Sequence, residues 1–300
     1  MQSVATTARP AGALPPTGGY GRRVRALVRA TPTGAIGLVI VLAFAVIALA
    51  APLLAPFDPI RSFADAVLDA PGERFWLGTD GNGMDVLSRV IHGTRYAFGI
   101  AIPVLVIGMA IGVPIGLYAG YRGGWFDEAT LRVMDAIRVF PSIILALAIV
   151  SVTGQTLANV VVVIAVLDIP VFVRLVRAEV LALRQSHFVE AAINAGNPTW
   201  RVLLVHLLPN CMRGAIAQMP IRMAWAVRVS ATLAFIGVGI QAPAPEWGAM
   251  IRQGAEYMVS GEWWVSIFPG VALVVLIIGF SMLGDGLEEL IDPRRANTTR

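Results

Sequence analysis

Glu190 to Asn210 reads EAAINAGNPTWRVLLVHLLPN, a polar interruption between two long apolar segments that otherwise look like neighbouring membrane spans. Phe188, Val189, Glu190, Ala191, Ala192 and Ile193 have the composition of a short helix, and Gly196 is free to take the positive φ that ends one. Asn197-Pro198-Thr199 then favours a turn with a helical restart at Trp200. From there Val202, Leu203, Val205 and Leu208 recur at helical spacing, Arg201 and His206 supply polar positions, and Pro209 is expected to break the run. The expectation is a stiff amphipathic helix-turn-helix against the membrane, suited to docking on a partner.

Glu190-Ala191-Ala192, followed by Gly196 and then by Leu208-Pro209, resembles the EAA loop of ABC-importer permeases. The resemblance implies that this loop is the coupling helix, seated in a cleft of an ATPase subunit. That family often has an aliphatic residue where His206 stands. His206, two apolar residues, Pro209 and Asn210 resemble the peptide/nickel branch. Any alanine-rich helix contains a Glu-Ala-Ala tripeptide, so an ordinary interfacial loop is the alternative and the rest of the chain must decide.

The 300 residues are 57% hydrophobic and only 14% charged, which places the chain among polytopic membrane proteins and against a soluble enzyme. An isoelectric point near 9.8 could suggest nucleic acid, but the arginines stand at span boundaries and not on one face. They read as topology signals. The chain contains no lysine, so it has no P-loop lysine, Schiff-base lysine or lysine general base. Any ATP-Mg must be held by another subunit, and no cofactor is expected here. Cys211 is the lone cysteine, and His92, His187 and His206 lie in different segments, so neither a metal site nor a catalytic triad is expected.

Residues 1–33 read as a mobile tail with a basic flank at Arg22, Arg23, Arg25 and Arg29. A first span runs from Gly34 to Ala55, longer than a signal-peptide core, although Ala48-Leu49-Ala50 has the small residues of a cleavage site. An insert at 57–93 follows. In it Thr79 or Asp80 is expected to cap a short amphipathic helix toward His92, and Asp80, Asn82 and Asp85 lack the glycine and distal glutamate of an EF-hand. Ala97 to Tyr118 is the second span, with Gly108, Gly112 and Gly116 on one small-residue face. A third span runs to about Val152, starting amphipathically with Arg132, Asp135 and Arg138 before Pro141. The fourth is Leu157 to Val176, the fifth Ala215 to Ile240 and the sixth Val265 to Leu283, with a coupling loop at 177–212 and a tail at 293–300. Gly237 and Gly239 lack the third glycine and flanking strand of a dinucleotide fingerprint. Six spans put both termini on one side, and the excess of arginine on that side makes it cytoplasmic.

Further phrases extend the resemblance. Trp76-Leu77-Gly78-Thr79-Asp80 with Asp85-Val86-Leu87-Ser88-Arg89, and Ala119 to Asp127, are similar to phrases of the same branch, with Met84 where an arginine is usual. Phrases of this kind occur in order from Trp76 to Arg294, and the chain is identified as a member of the peptide-type permeases, the second of a pair. The resemblance implies an all-α fold, the six-helix type I permease fold of the bacterial cytoplasmic membrane. It implies a homologous permease, two ATP-binding subunits and an extracytoplasmic binding protein as partners, with lipid and no nucleic acid. Dipeptides, oligopeptides, nickel, glutathione and opines are all carried by similar permeases. The residues themselves leave one rival, an ion-coupled secondary transporter, which would need a relay of intramembrane carboxylates.

Glu190, Ala191, Ala192, Gly196, Arg201, His206, Leu208 and Pro209 are therefore the expected ATPase-coupling residues, with the alanines and the glycine kept small for a partner's approach. Asp168 and Arg222 lie at matching depths in consecutive antiparallel spans and are expected to pair, because an unpaired intramembrane charge costs about 2.5–3.5 kcal/mol. Arg228 lies about 9 Å further in and has no matching carboxylate, which makes it a path-lining candidate. Glu246-Trp247-Gly248-Ala249 and the Trp76 to Arg89 region are expected on the extracytoplasmic face, where a binding protein would dock; Trp247, Trp263 and Trp264 read equally as interfacial anchors.

Overall fold

A computed structural model describes residues 31–291; the tails expected at either end lie outside these residues, except that helix already begins at Pro32. The described residues form a helical bundle without an extended strand. Helix α1 (Pro32–Leu54) carries proline in its first turn, where a missing N–H costs nothing. Helix α2 (Val86–Arg122) starts at Asp85, whose carboxylate accepts the Ser88 N–H at 2.7 Å. The cap is thus Asp85, not Thr79 or Asp80, and the short helix toward His92 runs without a break into the second span. The insert expected at 57–93 therefore ends at Asp85 as irregular chain.

Close approach of backbones organises the centre. A methyl group on Gly112 would stand 2.7 Å from Phe172 Cβ, and one on Gly116 would stand 2.5 Å from the Val173 carbonyl. Only glycine lets α2 press against α5 (Leu157–Leu183) at this distance. Helix α5 is capped by Thr156, whose hydroxyl accepts the Asn159 N–H. It continues past the Val176 boundary that its apolar run suggests.

The third span is a broken one. Helices α3 (Gly124–Val139) and α4 (Ser142–Thr153) meet at an 82° bend. Pro141 offers no N–H and forces Phe140 into extended backbone, ψ 138°, so helix cannot pass through. The 12 residues of α4 extend only about 18 Å, short of a roughly 30 Å hydrocarbon core. Among the described residues five helices are long and apolar enough to cross a membrane, six if the bent pair is one span.

After α6 (His187–Asn194), α7 runs unbroken from Thr199 to Ile236. It begins well before the expected Ala215 and stops at Gly237, whose left-handed φ of 96° terminates it before Ile240. Pro209 does not end the helix. Val202–Leu207 form a π-helical segment, and the proline sits in the first turn of the α-helix that resumes after it, so its missing donor falls where the ladder is already rearranged. Helix α8 (Trp247–Ala255) is short, and α9 (Trp264–Ile291) carries Gly284 and Gly286 inside its run and not at its end. A Cβ on Gly34 would stand 2.7 Å from Gly286 Cα, so the first and last described helices meet and residues 31 and 291 share one end of the bundle.

Candidate functional site

The Glu190–Asn210 element is two-faced. Val189 of α6, with Val202, Leu203, Leu207 and Cys211 of α7, turns inward and packs with Leu117, Phe172, Val176 and Val180, and Ala192 of α6 is buried too. Phe188, Ile193, Trp200, Leu204 and Val205 turn outward and are 41–61% exposed. Glu190, Ala191, Arg201 and Pro209 are exposed, and His206 and Leu208 are half-buried. His187 Nδ1 lies 3.6 Å from Glu190 Oε2 across one helical turn. Ala192 is only 7% exposed, so its small size serves packing within the chain and not a partner's approach. Gly196 has φ +75°, and a methyl group there would meet nothing within 4 Å. Its requirement is conformational.

Along the π segment Val202, Leu203 and Leu207 are buried, with Cys211 one turn beyond, and Val205 is left 52% exposed. The turn before it is closed by Asn197, whose side-chain Nδ2 donates to the Ala192 carbonyl at 2.8 Å.

Within the bundle, Arg222 Nε donates to Asp168 Oδ1 at 2.6 Å, and Nη2 reaches the same oxygen. Asp168 is wholly buried and Arg222 nearly so, with its guanidinium 4.5 Å over the Trp225 ring. Arg228, one and a half turns on, is exposed and forms no ion pair among the described residues. Two further ion pairs tie α3 to α5: Arg177 grips both oxygens of Asp127, and Arg174 meets Asp135. Sequence reasoning missed these, because the partners stand 50 and 39 residues apart and nothing in their spacing matches them. A cavity of about 290 Å³ opens beside the bend, lined among others by Arg138, Ser142, Leu167, Arg222 and Trp225.

At the opposite end of the bundle, Asp80 holds the insert together. Its Oδ1 accepts the N–H groups of Asn82 and Met84 at 2.8 and 2.9 Å, and its Oδ2 lies 3.3 Å from Nε of Arg89, which is 1% exposed. Arg89 also donates to the carbonyls of Pro59 and Pro243, joining the insert to the segment before α8. No metal-sized cluster of His, Cys, Asp or Glu occurs among the described residues.

The structure brings Glu246–Ala249 next to the Trp76–Arg89 region and buries two of the indoles there. Trp247 is 2% exposed and donates to the Val90 carbonyl at 3.0 Å, and Trp264 is 8% exposed and donates to that of Thr79. Neither is an interfacial anchor, because burial satisfies each indole N–H inside the fold; of the indoles in this region, Trp76 and Trp263 are exposed. Glu246 caps α8 by accepting the Ala249 N–H at 2.8 Å. Burial pushes its carboxyl up to about 7, against the backbone donors that favour the charged form.

The described residues thus form a bundle of five or six helices long and apolar enough to span a membrane, with a two-faced helix-turn-helix between two of them. Residues 112–297 match the family described as the inner membrane component of binding-protein-dependent transport systems, and residues 20–71 match the N-terminal transmembrane domain of oligopeptide transport permease C. The chain belongs to this family, whose members are non-catalytic membrane subunits of ABC importers. It is 37% identical to the dipeptide transport system permease DppC of Alkalihalophilus pseudofirmus, covering 86% of this chain and 85% of that one. It is 39% identical to the glutathione transport permease GsiD of Pectobacterium atrosepticum, covering 87% and 86%. A chain of the methionine ABC transporter MetNI in an inward-facing conformation shares the fold, with a TM-score of 0.55 at 21% identity over 68% of this chain and 96% of that one.

Proposed function

We propose that this chain is a permease of a peptide-importing ABC transporter, paired with a homologous permease, two ATP-binding subunits that carry ATP-Mg, and an extracytoplasmic solute-binding protein. Both termini and the Glu190–Asn210 element lie in the cytoplasm, a side supported by the arginines at 22–29 and 174–184. Peptides are favoured over nickel and opines because relatives at 37–39% identity are named for dipeptides, di/tripeptides and glutathione, itself a peptide.

The observation that carries the coupling role is the outward row of Phe188, Ile193, Trp200, Leu204 and Val205 on an element whose other face is locked into the bundle. ATPase closure displaces α6 and, through the π segment, the whole of α7, which tilts the helices lining the path. Arg228, exposed on α7, lines that path. Ion-coupled transport is disfavoured, because the deep carboxylate Asp168 is committed to Arg222.

Gly196→Val tests the reading. A left-handed backbone costs a branched residue about 1–2 kcal/mol, enough to rebuild the turn without unfolding the bundle. The variant should assemble with its ATPases yet lose about tenfold in peptide uptake. Wild-type uptake together with normal stimulation of ATP hydrolysis would show a merely interfacial loop.

A further inference from the structure

We infer that the cavity at the α3–α4 bend is a transit site for the C-terminal carboxylate of a passing peptide, read by Arg138 and Arg222; this deepens the reading of the chain as a peptide permease. The cavity, about 290 Å³, lies between the bend, α5 and α7. It is at the lower limit of ligand-pocket sizes, large enough for a terminal residue and not for a whole oligopeptide.

Its chemistry is one-sided. Arg222 spends Nε and Nη2 on a single oxygen of Asp168, and Nη1 finds no acceptor among the described residues. Arg138 lines the same cavity three residues before Pro141 and has no ion-pair partner there, whereas its neighbours Arg132, Arg174 and Arg177 are matched by Glu128, Asp135 and Asp127. Two guanidinium groups against one carboxylate leave a net positive charge at the site. Ser142 adds a hydroxyl.

Guanidinium groups bind carboxylates through paired, charge-assisted hydrogen bonds, so the unmatched charge selects a carboxylate over an ammonium. Ile137, Phe140, Leu167, Val171 and Trp225 supply the apolar wall for the side chain beside that carboxylate. Asp168 already neutralises part of Arg222, which keeps binding weak enough for release, as a transit site requires.

The test uses the complete transporter in nanodiscs, with the binding protein left out so that its own selectivity does not intervene. Ser142→Cys provides a thiol at the cavity, since the native Cys211 is buried. Maleimide labelling is followed with alanyl-phenylalanine and with alanyl-phenylalaninamide at millimolar concentration. The free carboxylate should slow labelling at least threefold, the amide should not, and adding Arg138→Gln should erase the difference, with Arg138→Lys restoring part of it. Equal labelling with both peptides, or a difference that survives Arg138→Gln, overturns the site. Uptake of alanyl-phenylalanine by the wild-type transporter with its binding protein restored tests the peptide reading separately: uptake without selective protection removes only the site, and absence of uptake removes the reading.

Discussion

Asp168→Ala should destabilise the bundle by about 3 kcal/mol. Asp168 has no exposed surface, and its Oδ1 takes both Nε and Nη2 of Arg222, whose side chain is 14% exposed. Removing one member of a buried pair typically costs about 3–5 kcal/mol, because the other charge stays buried without a partner. Hydrogen bonds between membrane helices average only about 0.6 kcal/mol, since displaced groups find new partners. Arg222 stands between these limits: it opens on the bend cavity, where water can reach part of its guanidinium. Arg222→Ala should cost at least as much, as the enclosed carboxylate has no cavity to turn to. Thermal unfolding of the detergent-solubilised transporter, with the yield of intact complex as a second readout, measures both. A double-mutant cycle should give a coupling energy of about 2 kcal/mol, and the exchanged pair Asp168→Arg with Arg222→Asp should recover part of the loss. Additivity within about 0.5 kcal/mol would refute the pair as a lock between α5 and α7.

Gly116→Val puts a branched side chain where even a Cβ stands 2.5 Å from the Val173 carbonyl, and thermal unfolding should register a loss of about 1–3 kcal/mol, against almost none for Gly99→Ala, which meets open space. Glu246 contributes a pH dependence of definite sign: its folded-state value near 7 lies above the ordinary 4.5, so its contribution to stability is fully present below about 4.5 and is lost as pH rises through 7. The loss is bounded by about 3 kcal/mol, and Glu246→Gln should flatten that part of the stability profile. Ala249→Cys should react with an impermeant thiol reagent in intact cells, and reaction only after the cytoplasm is opened would reverse the orientation.

The helices were legible because long apolar runs with glycine and proline punctuation dictate them. Gly196 and Asn197-Pro198-Thr199 marked the turn before α7, and Asp168 and Arg222 were matched by depth alone, since spans in sequence are antiparallel neighbours. Pro209 and Pro141 were misread in opposite directions. The first is absorbed by a π segment that no residue type announces, and the second bends a run whose composition continues straight through it. The inward placement of Ala192 and Trp247 was hidden because hydropathy does not distinguish a partner's face from the protein's own core.

The 38-residue continuity of α7 bears on how the membrane stays sealed. At helical rise the rod is about 57 Å long, nearly twice the hydrocarbon thickness. A rotation of about 10° about its midpoint moves the two tips about 5 Å each, in opposite directions, by the same rise. Under the lever proposed above, what widens one mouth of the pathway would narrow the other without any signal passing between them. Mutual exclusion of the two openings, and with it the preservation of the ion gradients across the lipid, would then be a matter of rigid-body geometry.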